Sequence, residues 1–139
     1  MNALPVVGGV LTDSSLRILL LHRTTPRPRW ELPGGKLEKN ETPEQAVIRE
    51  LREELGITVA VQNRLGGCTF TEDGQPFRYA WYKVRLMAGS PAPAEQAFDA
   101  ARYMSLAEAR ERWADLSPNV RELIDTCEKS PNDLARAEN

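Results

Sequence analysis

Residues 34–57 place Gly34 and Gly35 ahead of Glu41, Glu50, Glu53 and Glu54, with Arg49 among them. Carboxylates at helical spacing repel one another, so this clustering works against stability. It suits a hard divalent cation such as Mg²⁺, which takes oxygen ligands and bridges to substrate phosphates while keeping several waters. Two or three carboxylates from one helix supply such a site. The two glycines let the backbone come close, so that a loop carbonyl joins the ligands and amides face phosphate. Arg49 precedes Glu53 by one turn and is expected near Glu41 and Glu53, orienting a carboxylate instead of touching substrate. A solvated, salt-bridged helix face is the bland alternative, and it accounts for neither the glycine pair nor the full spacing.

The helix that carries these acids is legible from local signals. Thr42 is a favourable N-cap, Pro43 fits the first helical position, Gln45 completes a capping box, and Gly56 is placed to end the helix. Val47, Ile48, Leu51 and Leu55 recur at three- and four-residue steps and form an apolar stripe. At about 100° per residue, Glu50, Glu53 and Glu54 are expected on an arc beside it.

The segment G-KLEKN-E-TPEQAVI-RE-L-R-EE-L-GI, with Gly35, Glu41, Arg49, Glu50, Leu51, Glu53, Glu54, Gly56 and Ile57 at its fixed positions, resembles the signature box of the Nudix hydrolases. The flanking WELPGGKLE is similar to the MutT-like branch, whose members sanitise nucleoside triphosphates. The resemblance implies an α/β class fold, an α/β/α sandwich with a mixed β-sheet, and cleavage of a nucleoside diphosphate linked to another group. It implies Mg²⁺ as cofactor, with Mn²⁺ able to substitute. Glu53 and Glu54 are the expected principal metal ligands, with the Gly34 or Gly35 carbonyl. Glu50 is a further ligand or the general base, so the expected catalytic set is Glu50, Glu53 and Arg49. MutT-like enzymes often add a carboxylate from the loop before the last strand, where this chain offers Glu95 and Asp99. The DLSPN stretch is similar to the place where such proteins read an oxidised guanine with an asparagine amide, a role that would fall to Asn119. Ser117 and Asn119 also suit plain helix capping, and the sequence leaves both readings open.

Other elements must hold this helix in place. Residues 4–11 and 17–23 read as a hairpin around TDSS. Residues 24–29 form a short stiff loop. Extended chain resumes at 58–62, with Gly66-Gly67 expected to bend it before 68–71. EDGQP reads as a turn into a strand over 77–86, and residues 101–104 as a last short strand. Helices are expected over 106–113 and from Pro118 to about residue 128. The chain reads as one domain over 1–129, followed by a frayed polar tail over 130–139.

In the 77–86 strand, Phe77, Tyr79, Trp81, Lys83 and Arg85 share one face. Aromatic and basic residues together could stack a base and steer phosphates. The competing reading puts the aromatics in the core and the cations in solvent. Arg23, Phe77, Tyr79, Trp81 and Asn119 are therefore the candidate substrate-binding residues. His22, the single histidine, has a structural or incidental role in this reading.

Composition bounds the function. The chain has 139 residues, 41% of them hydrophobic, and a formal charge of −2, so no basic field argues for nucleic-acid or membrane binding. No apolar run reaches membrane-spanning length, and the N-terminus lacks a signal-like pattern. Cys68 and Cys127 lack metal-ligand spacing and read as buried or free thiols in a reducing cytoplasm. The expected partner is a small nucleotide, bound by a monomer or homodimer. The expected reaction releases a monophosphate and pyrophosphate from a nucleoside triphosphate such as 8-oxo-dGTP. CTP or ADP-ribose are the alternative substrates, and a non-catalytic module binding a nucleotide sugar is the alternative class. Such a module would be expected to lose box carboxylates, and none is missing here.

Overall fold

The computed structural model describes residues 2–130 and 132–135. Among these residues, seven strands form two sheets. β1 (Leu4–Val10), β4 (Gly34–Lys36), β5 (Thr58–Glu72) and β6 (Gln75–Ala88) make a four-stranded sheet in the order β4-β1-β6-β5. β1 runs parallel to β6, and the other pairs are antiparallel, so this sheet is mixed. β2 (Ile18–Arg23), β3 (Arg29–Glu31) and β7 (Phe98–Met104) make an antiparallel sheet in the order β3-β2-β7.

The helices cover both faces. α1 (Pro43–Leu55) packs Val47, Leu51 and Leu55 against Val7, Leu19, Leu21, Val84 and Phe98. α2 (Leu106–Glu111) and α3 (Pro118–Lys129) pack against Val10, Ile18, Leu20, Tyr79, Trp81 and Met104. Ile18 to Leu21 are all buried because alternate residues enter opposite cores. The result is the expected α/β/α layering.

The hairpin expected at the N-terminus is reduced to its turn. Asp13 accepts hydrogen bonds from Ser15 N (3.0 Å) and Arg17 N (2.9 Å), and the pairing ends at a Thr12–Ile18 bridge. β1 then joins β4 and β6 while β2 enters the other sheet. Both strands are apolar on two sides, and a two-stranded hairpin would leave one of those sides uncovered. At Gly66-Gly67 the chain does not leave the sheet; the irregularity expected there is a register shift within one strand. β5 runs unbroken to Glu72 and absorbs its extra residues as register shifts between Val61 and Asn63 and between Arg64 and Gly66. Asp73 (φ 52°) and Gly74 (φ 79°) close the β5–β6 hairpin with the left-handed pair such a two-residue turn requires. The expected helix over 106–113 stops at Glu111, and a separate 3₁₀ turn spans Trp113–Asp115.

Part of the expected polar tail is packed. α4 (Asn132–Ala135) sets Leu134, 3% exposed, into the core beneath α3. Residues 131 and 136–139 of that tail lie outside the described residues. Leu134→Ala is expected to cost about 2–4 kcal/mol, the range for emptying a buried leucine site. A urea unfolding midpoint equal to wild type would show that Leu134 contributes no core packing.

Candidate active site

The capping signals around the acid-bearing helix all operate. Thr42 Oγ1 accepts from Gln45 N at 3.1 Å and Gln45 Oε1 accepts from Thr42 N at 2.9 Å, while Gly56 ends the helix in the left-handed conformation. These contacts phase the helix, and phase decides which carboxylates meet β4. Glu54 does not sit beside the apolar stripe as expected. It is part of the buried face, 5% exposed, and accepts the Gly34 N–H at 2.8 Å.

β4 meets the helix with glycines for a steric reason. A Cβ on Gly35 would stand 2.8 Å from the Glu50 carboxyl, and one on Gly34 would stand 2.0 Å from the Val7 carbonyl oxygen. Only bare backbone fits between β1 and these acids.

Arg49 organises the exposed side of the cluster. Its guanidinium grips Glu41 twice (2.7 and 2.9 Å), donates to Glu50 at 2.8 Å and Glu53 at 3.3 Å, and reaches the Lys36 carbonyl at 3.1 Å. Hydrogen bonds from Arg49 hold the Glu41 carboxyl down at about 2, and those same bonds raise the Arg49 pKa. Burial acts the other way deeper in. It pushes the Glu54 carboxyl up to about 9, with repulsion from Glu50, Glu95 and Glu31 adding to the effect and the Gly34 N–H opposing it. Glu50 is raised chiefly by burial, opposed by Arg49, with Glu53 and Glu95 adding.

Among the described residues, no three His, Cys, Asp or Glu side chains converge on one ligand position. The donor chemistry still fits a hard cation. Glu54 is a buried carboxyl whose neighbours Glu50 and Glu95 all disfavour its charge, and a divalent ion would relieve that repulsion. Of the two carboxylates expected in the loop before the last strand, Glu95 lies there and acts electrostatically on Glu50 and Glu54, whereas Asp99 falls inside β7 and pairs with His22 Nδ1 at 2.7 Å. The His22 ring also packs against Trp30.

Beside the acids opens a cleft of about 320 Å³, within the size range of small-ligand sites. Gly34, Gly35 and Lys36 form its wall on the carboxylate side, and Phe70, Phe77, Tyr79 and Asn119 line its aromatic side. Arg23 also lines it, donating to Glu31 at 2.9 Å while its guanidinium lies over the Phe98 ring. Trp81 does not take part. It is 1% exposed inside the core with Val120, Leu123 and Ile124, because it sits further along β6, under α3. Tyr79 is also buried but reaches the cleft floor, and its hydroxyl pKa is raised by burial and by Glu54 and Glu31.

Asn119 is the second residue of α3. Ser117 occupies the N-cap position without making a side-chain cap bond; its hydroxyl instead donates to Asn119 Oδ1. Asn119 is thus held over the cleft with its amide nitrogen left to donate.

Several cleft residues escaped the sequence reading, among them Arg29, Glu31, Phe70 and Glu72. Arg29 donates to Glu31 at 2.6 Å and grips Glu72 with both terminal nitrogens, and Phe70 stacks on Phe77 with ring centroids 5.3 Å apart. The Asp73-Gly74 turn held a usable signal for Phe70, since its register pairs Phe70 with Phe77. Nothing local marked the Arg29–Glu72 pair, which joins residues 43 apart.

A family model described as the NUDIX domain matches residues 3–126, so the chain belongs to that family. It is 48% identical over 59 residues to an 8-oxo-dGTP diphosphatase of Proteus vulgaris, a match covering 40% of this chain and 53% of that protein. It is 32% identical over 102 residues to an RNA pyrophosphohydrolase of Saccharophagus degradans, covering 63% of this chain and 60% of that one. The chain therefore spans between half and two thirds of the length of these curated relatives. The crystal structure of a MutT NUDIX hydrolase from Burkholderia pseudomallei superposes with a TM-score of 0.81 at 25% identity, over 91% of this chain and 98% of that one. No helix among the described residues is long and apolar enough to cross a membrane.

Proposed function

We propose that the chain hydrolyses a nucleoside triphosphate, with 8-oxo-dGTP as the leading substrate, to the monophosphate and pyrophosphate. The observation that carries this reading is the shared wall. Gly34 and Gly35 line the aromatic cleft on one side and abut Glu54 and Glu50 on the other. A base between Phe70, Phe77 and Asn119 would extend its phosphates toward the acids.

Glu53 and Glu54, with a Gly34 or Gly35 carbonyl, would hold Mg²⁺ or Mn²⁺, with Glu50 and Glu95 as further oxygen donors. The bound metal would supply charge neutralisation of the phosphate oxygens and a water of lowered pKa. Glu50 or Glu53 takes the proton from the attacking water, and Arg49 fixes where those two carboxylates point. The raised Glu50 pKa favours its protonation more than an exposed carboxylate would.

The test is phosphate release with Mg²⁺, coupled to inorganic pyrophosphatase for 8-oxo-dGTP, dGTP, CTP and a 5′-triphosphorylated RNA, and coupled to alkaline phosphatase, which acts on the two phosphomonoester products, for ADP-ribose. Release from a triphosphate that depends on the coupling enzyme is expected. Cleavage of ADP-ribose alone would replace the triphosphate reading, and no turnover of any compound would point to a binding module.

Base selectivity is predicted to rest on Asn119. Asn119→Ala is expected to lower the kcat/KM preference for 8-oxo-dGTP over dGTP by about tenfold, the effect of one well-buried hydrogen bond. Asn119→Ala also takes the acceptor away from the buried Ser117 hydroxyl, so a fall in melting temperature is expected alongside, and the substrate ratio is the readout that reports recognition. An unchanged ratio would remove Asn119 from base recognition.

A further inference from the structure

A second groove, of about 440 Å³, shares no residue with the cleft. It lies where β1 stops at Val10, opposite Lys83, while β6 continues to Ala88. Lys83, Arg85, Gln62 and Tyr103 bring polar side chains to it. Lys83 is 9% exposed, and among the described residues it has neither a hydrogen bond nor an ion pair. Its stem is buried and its ammonium keeps contact with water while being partly desolvated, a cost that an apolar residue of similar length would avoid. The one carboxylate in the lining, Asp13, is already occupied by Arg17 Nε at 2.7 Å and by two backbone N–H groups. Directly across the strand pair from Lys83, Asn63 carries a buried amide whose oxygen and nitrogen both lack a partner.

We propose that this groove binds a small oxyanion of the phosphate class, with Lys83 and Arg85 as its cationic ligands and Gln62 and Tyr103 as neutral donors. Donors there outnumber free acceptors, and two cations match the charge of a phosphate better than that of a cationic or neutral ligand. Burial lowers the Lys83 pKa, the direction that an arriving anion would reverse. Burial likewise keeps the Tyr103 hydroxyl protonated and able to donate. The inference does not depend on what the cleft hydrolyses.

Free inorganic phosphate and a nucleotide both carry this group, and calorimetric titration separates the two. The full chain is kept metal-free in EDTA at constant ionic strength, then titrated with inorganic phosphate and, separately, with a nucleoside monophosphate. Saturable binding of inorganic phosphate identifies the free anion as sufficient; binding of the monophosphate alone identifies a nucleotide-borne group. Lys83→Met and Arg85→Gln should each weaken binding by about tenfold or more, the loss expected for one hydrogen bond between charged groups. Phe77→Ala, which alters only the cleft, should leave it unchanged. Phosphate should raise the melting temperature of wild type and not of Lys83→Met, which without phosphate should melt at or above the wild-type temperature. Lys83→Gln serves the same comparison if the methionine variant does not fold. No saturable binding of either anion, equal affinity in wild type and the Lys83 variant, or loss of binding in Phe77→Ala would each overturn the proposal.

Discussion

Glu54→Gln is expected to lower kcat by about 10²-fold or more, the usual scale for losing a group that handles a proton or its metal-bound equivalent. The same change should stabilise the metal-free protein at neutral pH. The folded Glu54 carboxyl sits at about 9, above the 4.5 of an ordinary glutamate, so the fold favours its protonated form. The stability it contributes is complete below pH ~4.5 and is lost progressively as pH rises toward 9. At pH 7 the folded state must hold a proton that the unfolded carboxyl has released, a cost on the order of 3 kcal/mol, which glutamine avoids while still accepting the Gly34 N–H. Melting in EDTA should therefore show the variant above wild type at pH 7, with the two converging near pH 4.5. Added Mg²⁺ should raise the wild-type melting temperature and leave the variant's nearly unchanged. Glu53→Gln makes the comparison informative. Its side chain is 45% exposed, so it should lose activity to a similar extent without the gain in stability. Wild-type turnover in both variants would sink the metal assignment.

Arg49→Lys should reduce kcat by about 10²-fold with a smaller change in KM, because Arg49 acts on the carboxylates and not on substrate. A guanidinium presents five N–H donors in a rigid fork; an ammonium is a point charge with three. One lysine cannot grip Glu41 twice and also meet Glu50, Glu53 and the Lys36 carbonyl. The Glu41 carboxyl, held at about 2 by Arg49, should then titrate nearer the ordinary glutamate range. Carboxyl-carbon NMR shifts report that movement independently of activity. Full kcat in Arg49→Lys would show that the acids are positioned without it.

Both predictions depend on facts of different legibility. The box helix was readable almost to the residue, since Thr42, Pro43, Gln45 and Gly56 act on neighbours no more than a turn away. Arg49 beside Glu41 and Glu53 followed from the same helical spacing. The three aromatics on β6 were placed on one face, yet they divide three ways: Phe77 at the cleft, Tyr79 at its floor and Trp81 in the core. Period two reports which face a residue takes and says nothing about what covers that face at each point along the strand.

The sequence by itself determined the elements whose causes are local: the capped acidic helix, the Asp73-Gly74 hairpin turn and the glycine pair that must come near carboxylates. Only the tertiary structure decided that β1 leaves its hairpin partner to run parallel to β6. That choice is made by α1 and α3, which together cover both faces of strands that are apolar on two sides. The same packing decided that Glu54, one helical step from its exposed neighbour Glu53, is pressed against Gly34 and raised to about 9. A carboxylate's charge state depends on the water it loses and the charges it faces. Both are supplied here by β4 and the loop carrying Glu95, segments about 20 and 40 residues away in sequence, the first brought to the helix by the sheet and the second docked on the helix end through Ala92 N to Leu55 O and Ala94 N to Glu54 O.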